Sequence, residues 1–149
     1  MLKAPEYPPI EFEERTPDAL SATRDELLRE YEKKRTDFNS AFSALLHSEI
    51  HPALLRFLDQ VRGQGHPLEL DPATPSRFEH FLHQTYSVRR PGHAQPVVFT
   101  FAANYDHRKI FVYTEYNAFT TINVYDLAQI NEPLLERIML KGLGKMVAA

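Results

Sequence analysis

The chain of 149 residues contains no cysteine. Disulfide bonds and thiol catalysis are therefore excluded, and a zinc ion would have to be bound by histidine and carboxylate side chains alone. The absence of cysteine is consistent with a reducing compartment. Because the first residues are followed by prolines and acids rather than by an apolar run, no signal peptide is expected. We therefore expect a cytoplasmic protein.

The chain also lacks a strong net charge and a long hydrophobic run. Its 17 Lys and Arg residues against 20 Asp and Glu residues give a net charge of −3, so there is no global basic surface for nucleic acid or anionic membrane. No window approaches the roughly 20 apolar residues that a membrane helix requires. With 43% hydrophobic residues, the composition is that of one domain with a proper core.

Short catalytic motifs are missing as well. The run 142–145, Gly-Leu-Gly-Lys, does not have the spacing of a phosphate-binding loop, and its glycines are expected to end a helix. The run 47–51 has two histidines four residues apart, but the glutamate is displaced from its position in the HExxH zinc motif. No nucleophile elbow of the GxSxG type occurs. No cofactor is predicted.

What the sequence does contain is a dense β-forming stretch at residues 96–127, rich in β-branched and aromatic residues. The simplest first turn is 104–107, which would pair Ala103 with Arg108. The second turn is the two-residue loop Asn117-Ala118, with asparagine where a positive φ is needed. This pairing puts two apolar sets on opposite faces: Val97, Phe99, Phe101, Ile110, Val112 and Tyr125 on one, and Val98, Thr100, Phe111, Tyr113, Ile122 and Val124 on the other.

Helices are predicted on both sides of this stretch. Thr16 and Pro17 mark a helix start, and apolar residues at helical spacing predict one buried stripe: Leu20, Leu27, Leu28, Tyr31, Phe38, Phe42, Leu45 and Leu46. A second helix is expected from Ser48 to about Arg62, stopped by Gly63 and Gly65. A short helix is predicted over 75–83, with a strand as its rival. The final helix is capped by Asp126 or Asn131 and ended by Gly142 and Gly144.

The predicted fold is α+β: an N-terminal helical pair, a short helix, a four-stranded antiparallel β-meander and a C-terminal helix. Residues 1–16 are expected to be an extended acidic arm, either a frayed tail or a strap on a neighbour. Residues 17–149 are expected to be a single domain, with the helical pair at 17–62, mostly β structure at 66–127 and the last helix at 131–146. Residues 66–70 are an edge strand or an extended link, because Pro67 argues against a central strand.

A sheet with apolar residues on both faces needs a second cover. We therefore predict a small protein-interaction module (an adaptor, assembly factor, secretion chaperone or inhibitor), acting as a homodimer without catalysis of its own. The predicted contact residues are Phe111, Tyr113 and Ile122 on the sheet, or Tyr31 and Phe38 on the first helix. The expected partner is another protein or a second copy, and no membrane contact is predicted.

The first alternative is a small-molecule or metal-dependent enzyme. The spacings of His47 with His51 and of His80 with His83 put each pair on one helical face, which makes them weak metal candidates. In this alternative His80, His83, His107 and Tyr105 converge on a pocket between the helices and the sheet.

The second alternative is binding of single-stranded nucleic acid across the sheet. Arg89 and Arg90 lie at one turn, and Arg108 and Lys109 lie at another. Because a meander reverses at every turn, the two pairs lie at opposite ends of strands, about 20 Å apart. They could not bind one phosphate together, but they could follow a strand of nucleic acid.

Overall fold

The computed structural model describes residues 17–71 and 81–147. Its elements in chain order are α1 (Pro17–Leu45), a π-helical segment (Leu46–Ile50), α2 (His51–Gly63), β1 (Glu69–Asp71), β2 (His83–Arg89), β3 (Val97–Asn104), β4 (Lys109–Tyr116), β5 (Phe119–Tyr125), a 3₁₀ turn (Leu127–Gln129) and α3 (Glu132–Val147). The fold is α+β, as predicted. No helix among the described residues has the length and apolar character to cross a membrane. The predicted arm at 1–16 and most of the predicted short helix at 75–83 lie outside the described residues.

The N-terminal half is helical without a gap from Pro17 to Gly63. The prediction of two helices with a new start at Ser48 was wrong, since Ser48 lies inside the π-helical segment. The cause is Pro52, which has no N–H and whose ring would clash with the carbonyl of Ser48 in a regular α-helix. The chain instead widens the turn before it, where the His51 N–H bonds to the Leu46 carbonyl five residues back. Gly65, at φ +89°, then ends α2.

The helical stripe predicted along α1 is only partly buried. Phe38 and Phe42 belong to the core, but Leu27, Leu28 and Tyr31 are exposed. The chain divides into two compact units, Met1–Lys34 and Arg35–Ala149, and the division falls within α1. The exposed residues belong to the first unit and the buried ones to the second.

The sheet has five antiparallel strands in the order β1-β2-β3-β4-β5, one more than predicted. The additional strand is β1, which pairs Glu69 with Arg89 and Leu70 with Val88. The hairpin loop Asn117-Ala118 is as predicted, with φ of 48° and 70° and Tyr116 opposite Phe119. The first turn is displaced: Ala103 pairs with Ile110 rather than with Arg108. Because the displacement is two residues, every side chain stays on its predicted face.

The face that carries Val97, Phe99 and Phe101 is the inner one, covered by helices. Fully buried residues of β2, β3 and β4 pack there against α2 and α3. The sequence places apolar residues at helical spacing in both helices, and most of them are buried: Ile50, Leu54, Phe57 and Leu58 at α2, and Leu135, Ile138, Met139 and Leu143 on α3. Val61 and Leu134, which belong to the same predicted stripes, are only partly buried. Arg56 and Glu132 link the two helices, because the Arg56 guanidinium donates two hydrogen bonds, of 2.9 and 3.1 Å, to the Glu132 carboxylate. These hydrogen bonds raise the pKa of Arg56.

Asn131 caps α3, because its side-chain oxygen accepts a hydrogen bond from the Leu134 N–H at 3.0 Å. The predicted end of this helix at Gly142 and Gly144 was wrong, since both lie inside it. Gly142 is needed for close approach: a Cβ there would stand 2.5 Å from two ring atoms of Phe99. A helix-breaking residue is therefore kept in the helix interior because a strand lies directly beneath it.

Tyr86 is a buried tyrosine whose ionisation should affect stability. Its hydroxyl lies 3.3 Å from His51 Nδ1, and burial raises its pKa from 10.0 to about 12. The unfolded chain therefore loses this proton at lower pH than the folded chain. The contribution of the neutral Tyr86 side chain to the free energy of unfolding is complete below about pH 10, and it is lost as the pH rises through about 12.

We expect Tyr86→Phe to remove this loss, which amounts to about 2–3 kcal/mol of unfolding free energy at high pH. Urea unfolding of both proteins between about pH 9 and pH 12 measures the difference. The remaining tyrosines and lysines titrate in both proteins and cancel. Parallel pH curves for the two proteins would contradict the burial effect.

Candidate functional site

The two edges of the sheet differ in their protection against strand addition. Exposed edges carry unpaired N–H and C=O groups, and proteins usually blunt them with short strands, charges or proline. The β1 edge has all three devices, since it is three residues long, carries Glu69 and Asp71 and follows Pro67. The β5 edge has none of them: its seven residues, Phe-Thr-Thr-Ile-Asn-Val-Tyr, include no charge, proline or glycine. Among the described residues, β5 pairs with β4 alone.

The outer face beside this edge is apolar. Phe111 and Tyr113 of β4 lie opposite Val124 and Ile122 of β5, and these four residues form what we call the outer patch. Ile122 and Val124 are 55% and 49% exposed, whereas both β4 side chains are half-buried. The outer patch thus extends to the free edge and ends there.

A cleft of about 90 Å³ lies on the other face, between β5 and α3. Three cations at every fourth position of the helix line one side: Arg137, Lys141 and Lys145. Alternate residues of β5 line the other side: Thr121, Asn123 and Tyr125. The Lys145 ammonium donates a hydrogen bond of 2.9 Å to the Thr121 hydroxyl. We call this arrangement the basic cleft.

Within the part of the chain that the structure describes, no carboxylate lines the basic cleft. The helix positions three and four residues away from its three cations carry no acid either, and among the described residues none of the cations forms an ion pair. Two cations elsewhere on the sheet are paired with acids: Lys109 pairs with Asp126, and Arg89 lies 3.4 Å from Glu69. The cleft therefore concentrates three uncompensated positive charges beside hydroxyl and amide groups, which suits an anionic ligand.

The predicted contact residues lie in different places. Phe111, Tyr113 and Ile122 come together in the outer patch. Tyr31 is exposed on the first unit. Phe38 is buried in the core of the second unit, so we leave it out of the proposed surface.

The basic residues predicted for nucleic acid do not form a continuous strip. Arg89 and Lys109 are paired with carboxylates, and they lie at opposite ends of the sheet. Arg90 lines a separate cavity, and Arg108 lies in a turn with φ 52°.

The histidines are likewise dispersed. His51 contacts Tyr86, and the His83 ring bonds to the Phe81 carbonyl at 2.8 Å. His107 stacks on Phe111, whereas Tyr105 packs on Phe81. His47 lies exposed in the π-helical segment, and His80 lies outside the described residues. Within 17–71 and 81–147 there is no group of three or more metal-binding side chains.

A second concavity, of about 310 Å³, lies between α2 and α3. Its walls are mainly apolar, with Phe57, Leu68 and Leu143 among them, and Arg90 and His66 supply polar groups. Its size is at the lower limit of small-molecule pockets. It offers one cation, whereas the basic cleft offers three.

Comparisons with protein-family models, with curated proteins and with solved structures gave no significant match. The assignment of function therefore rests on the surfaces of the chain itself.

Sequence reasoning missed the basic cleft. The signal was the spacing of Arg137, Lys141 and Lys145, which puts three cations on one helical face without an acid among them. In the sequence, Gly142, Gly144 and Lys145 resemble only a phosphate-binding loop with the wrong spacing. The cleft needs the additional knowledge that this helical face lies beside β5.

Proposed function

We propose that this protein is an interaction module that binds an extended segment of another protein along the edge of β5. Binding is by strand addition, in which the segment becomes a sixth strand of the sheet. The observation that carries the proposal is the contrast between the two edges: β1 is short and charged, whereas β5 is long and uncharged. The main-chain groups of β5 would supply affinity, and the outer patch would supply apolar contacts.

A different protein is the favoured partner over a second copy of the chain. Pairing of β5 with its own two-fold copy would bring two basic clusters to the same junction. Like charges that meet at an interface are costly, and the cluster of Arg137, Lys141 and Lys145 has no acid to offset it. The homodimer expected from the sequence is therefore the less favoured assembly. The lack of cysteine supports a cytoplasmic setting for this module.

Ile122→Lys is expected to abolish binding of the segment. Ile122 is central in β5, and a lysine at an edge is a common natural block to strand addition. Because the side chain is largely exposed, the unfolding free energy should change by no more than about 0.5 kcal/mol.

The test is selection of peptides from a displayed library of unstructured segments, using the purified full chain, followed by affinity measurements. The matched control is Leu140→Lys, an equally exposed position at the second concavity. Selected peptides should bind the control as they bind the wild type and should fail to bind Ile122→Lys. Peptides that are lost with Leu140→Lys instead would move the binding site to the second concavity and contradict the proposal.

A further inference from the structure

The basic cleft restricts what segment the β5 edge can accept. In an added strand, side chains alternate between the two faces of the sheet. Residues on the outer face would extend the outer patch, next to Ile122 and Val124. Residues on the inner face would lie beside Thr121 and Asn123, at the mouth of the basic cleft.

The spacings of helix and strand agree along this cleft. Arg137, Lys141 and Lys145 follow one another at four-residue intervals, which corresponds to about 6 Å of rise along α3. Alternate residues of an antiparallel strand are about 6.8 Å apart. Three inward side chains of an added strand would therefore each lie near one cation.

We infer that the segment recognised by β5 carries acidic residues at every second position, with apolar residues between them. The carboxylates would pair with Arg137, Lys141 and Lys145 on the inner face. The apolar residues would cover the outer patch. This inference rests on the proposed strand addition and names the chemistry of the segment.

Charge complementarity is what decides between segments. A neutral strand would leave three cations without anionic partners, and a basic strand would meet direct repulsion. An acidic strand would replace water at the three cations with charge-assisted hydrogen bonds, which are about twice as strong as neutral ones. The acid residues need to be on one face, since an acid on the outer face would be placed against Ile122, Val124 and Tyr113.

The test uses three synthetic peptides of equal length, titrated into the full chain and followed by calorimetry. The first alternates glutamate with valine or isoleucine, the second has glutamine in place of glutamate, and the third has the residues of the first in blocks. We expect the alternating acidic peptide to bind at least about tenfold more tightly than the other two. Its affinity should fall as salt is raised, because the cleft is open to solvent.

Lys141→Glu should weaken binding of the acidic peptide at least about tenfold and should leave the glutamine peptide unaffected or slightly favoured. Lys33→Glu is the control, since it changes net charge equally at an exposed position of α1 that is not among the residues lining the cleft. Equal binding of the glutamine peptide would overturn the inference while leaving strand addition intact. If the block peptide bound as tightly as the alternating acidic peptide, the inferred alternation of acidic and apolar residues would be wrong. Failure of all three peptides would contradict the proposed function itself.

Residues 68–71, Leu-Glu-Leu-Asp, have this alternation but include β1, which is paired with β2. Residues 10–14, Ile-Glu-Phe-Glu-Glu, have it too. These residues lie outside the described part of the structure. Because of their alternation, a second copy of the chain is an alternative source of the bound segment, and sedimentation tests this alternative. We expect sedimentation of the full chain to show no self-association that depends on Glu11. If the chain does associate, and Glu11→Lys separates the copies, the segment bound at β5 comes from a second copy and not from a different protein.

Discussion

Phe101→Ala is expected to lower the free energy of unfolding by about 3–5 kcal/mol. Phe101 is fully buried at the centre of the sheet, where its ring meets Tyr86 edge-on at a centroid distance of 6.0 Å. Removing the ring leaves a cavity in the core and removes the ring's packing contacts there. Such a loss is a large part of the 5–15 kcal/mol that typically holds a domain together.

The control is Phe119→Ala, which deletes the same ring from the edge strand. Phe119 is 74% exposed, so its loss should change stability by no more than about 0.5 kcal/mol. Urea unfolding of both variants measures the contrast, and Phe101→Leu provides a milder change if the alanine variant does not fold. Similar losses for Phe101 and Phe119 would contradict the assignment of inner and edge positions.

Gly142→Ala is expected to destabilise the chain by about 1–3 kcal/mol, although alanine is the better helix former. A Cβ at this position would stand 2.5 Å from Phe99 Cε1 and Cζ and 3.1 Å from Thr114 Cγ2. The ring belongs to a central strand, so α3 would have to move away from the sheet.

Gly144→Ala is the matched control, two residues further along the same helix. Apart from its chain neighbours and the backbone of its own helix, no heavy atom of the described residues lies within 4 Å of the added Cβ, so the substitution should stabilise by up to about 1 kcal/mol through helix propensity. Phe99→Leu removes the two clashing ring atoms, and in that background Gly142→Ala should cost less. Thermal unfolding of the four variants tests this, and stabilisation by Gly142→Ala in the wild-type background would contradict the close approach of helix and sheet.

The faces of the sheet could be predicted from the sequence, whereas details of its edges could not. The face of a strand residue depends only on parity, so a first turn misplaced by two residues left Phe99 and Phe111 on their proper sides. The edge strand β1 has three residues, too few for a periodic pattern. Its partner β2 begins at His83, within the segment for which a helix was predicted.

The helices show a different limit of sequence reasoning. Helical periodicity identified most of the buried residues of α2 and α3. It does not reveal that one helical turn contains an extra residue, as in the π-helical segment before Pro52. Gly142 was misjudged because a glycine that ends a helix and a glycine that admits a neighbouring strand look alike in sequence. The distinction depends on tertiary packing.

The basic cleft could not be predicted from the sequence for the same reason. The spacing of Arg137, Lys141 and Lys145 was visible, but on a free helix it indicates only a solvated face. It becomes a candidate site because α3 packs so that this face borders β5, and because β5 is an edge. The proposed binding therefore depends on which strand lies at the edge of the sheet.

Strand addition at β5 is tested most directly by amide hydrogen exchange of the full chain, measured residue by residue with and without a saturating amount of the alternating acidic peptide. Without peptide, the outward amides of β5 should exchange faster than those of β4, which is paired on both sides. With peptide, alternate amides of Phe119–Tyr125 should become protected, and those of β1 should not change. Binding that leaves the β5 amides exchanging at their original rates would contradict strand addition at this edge.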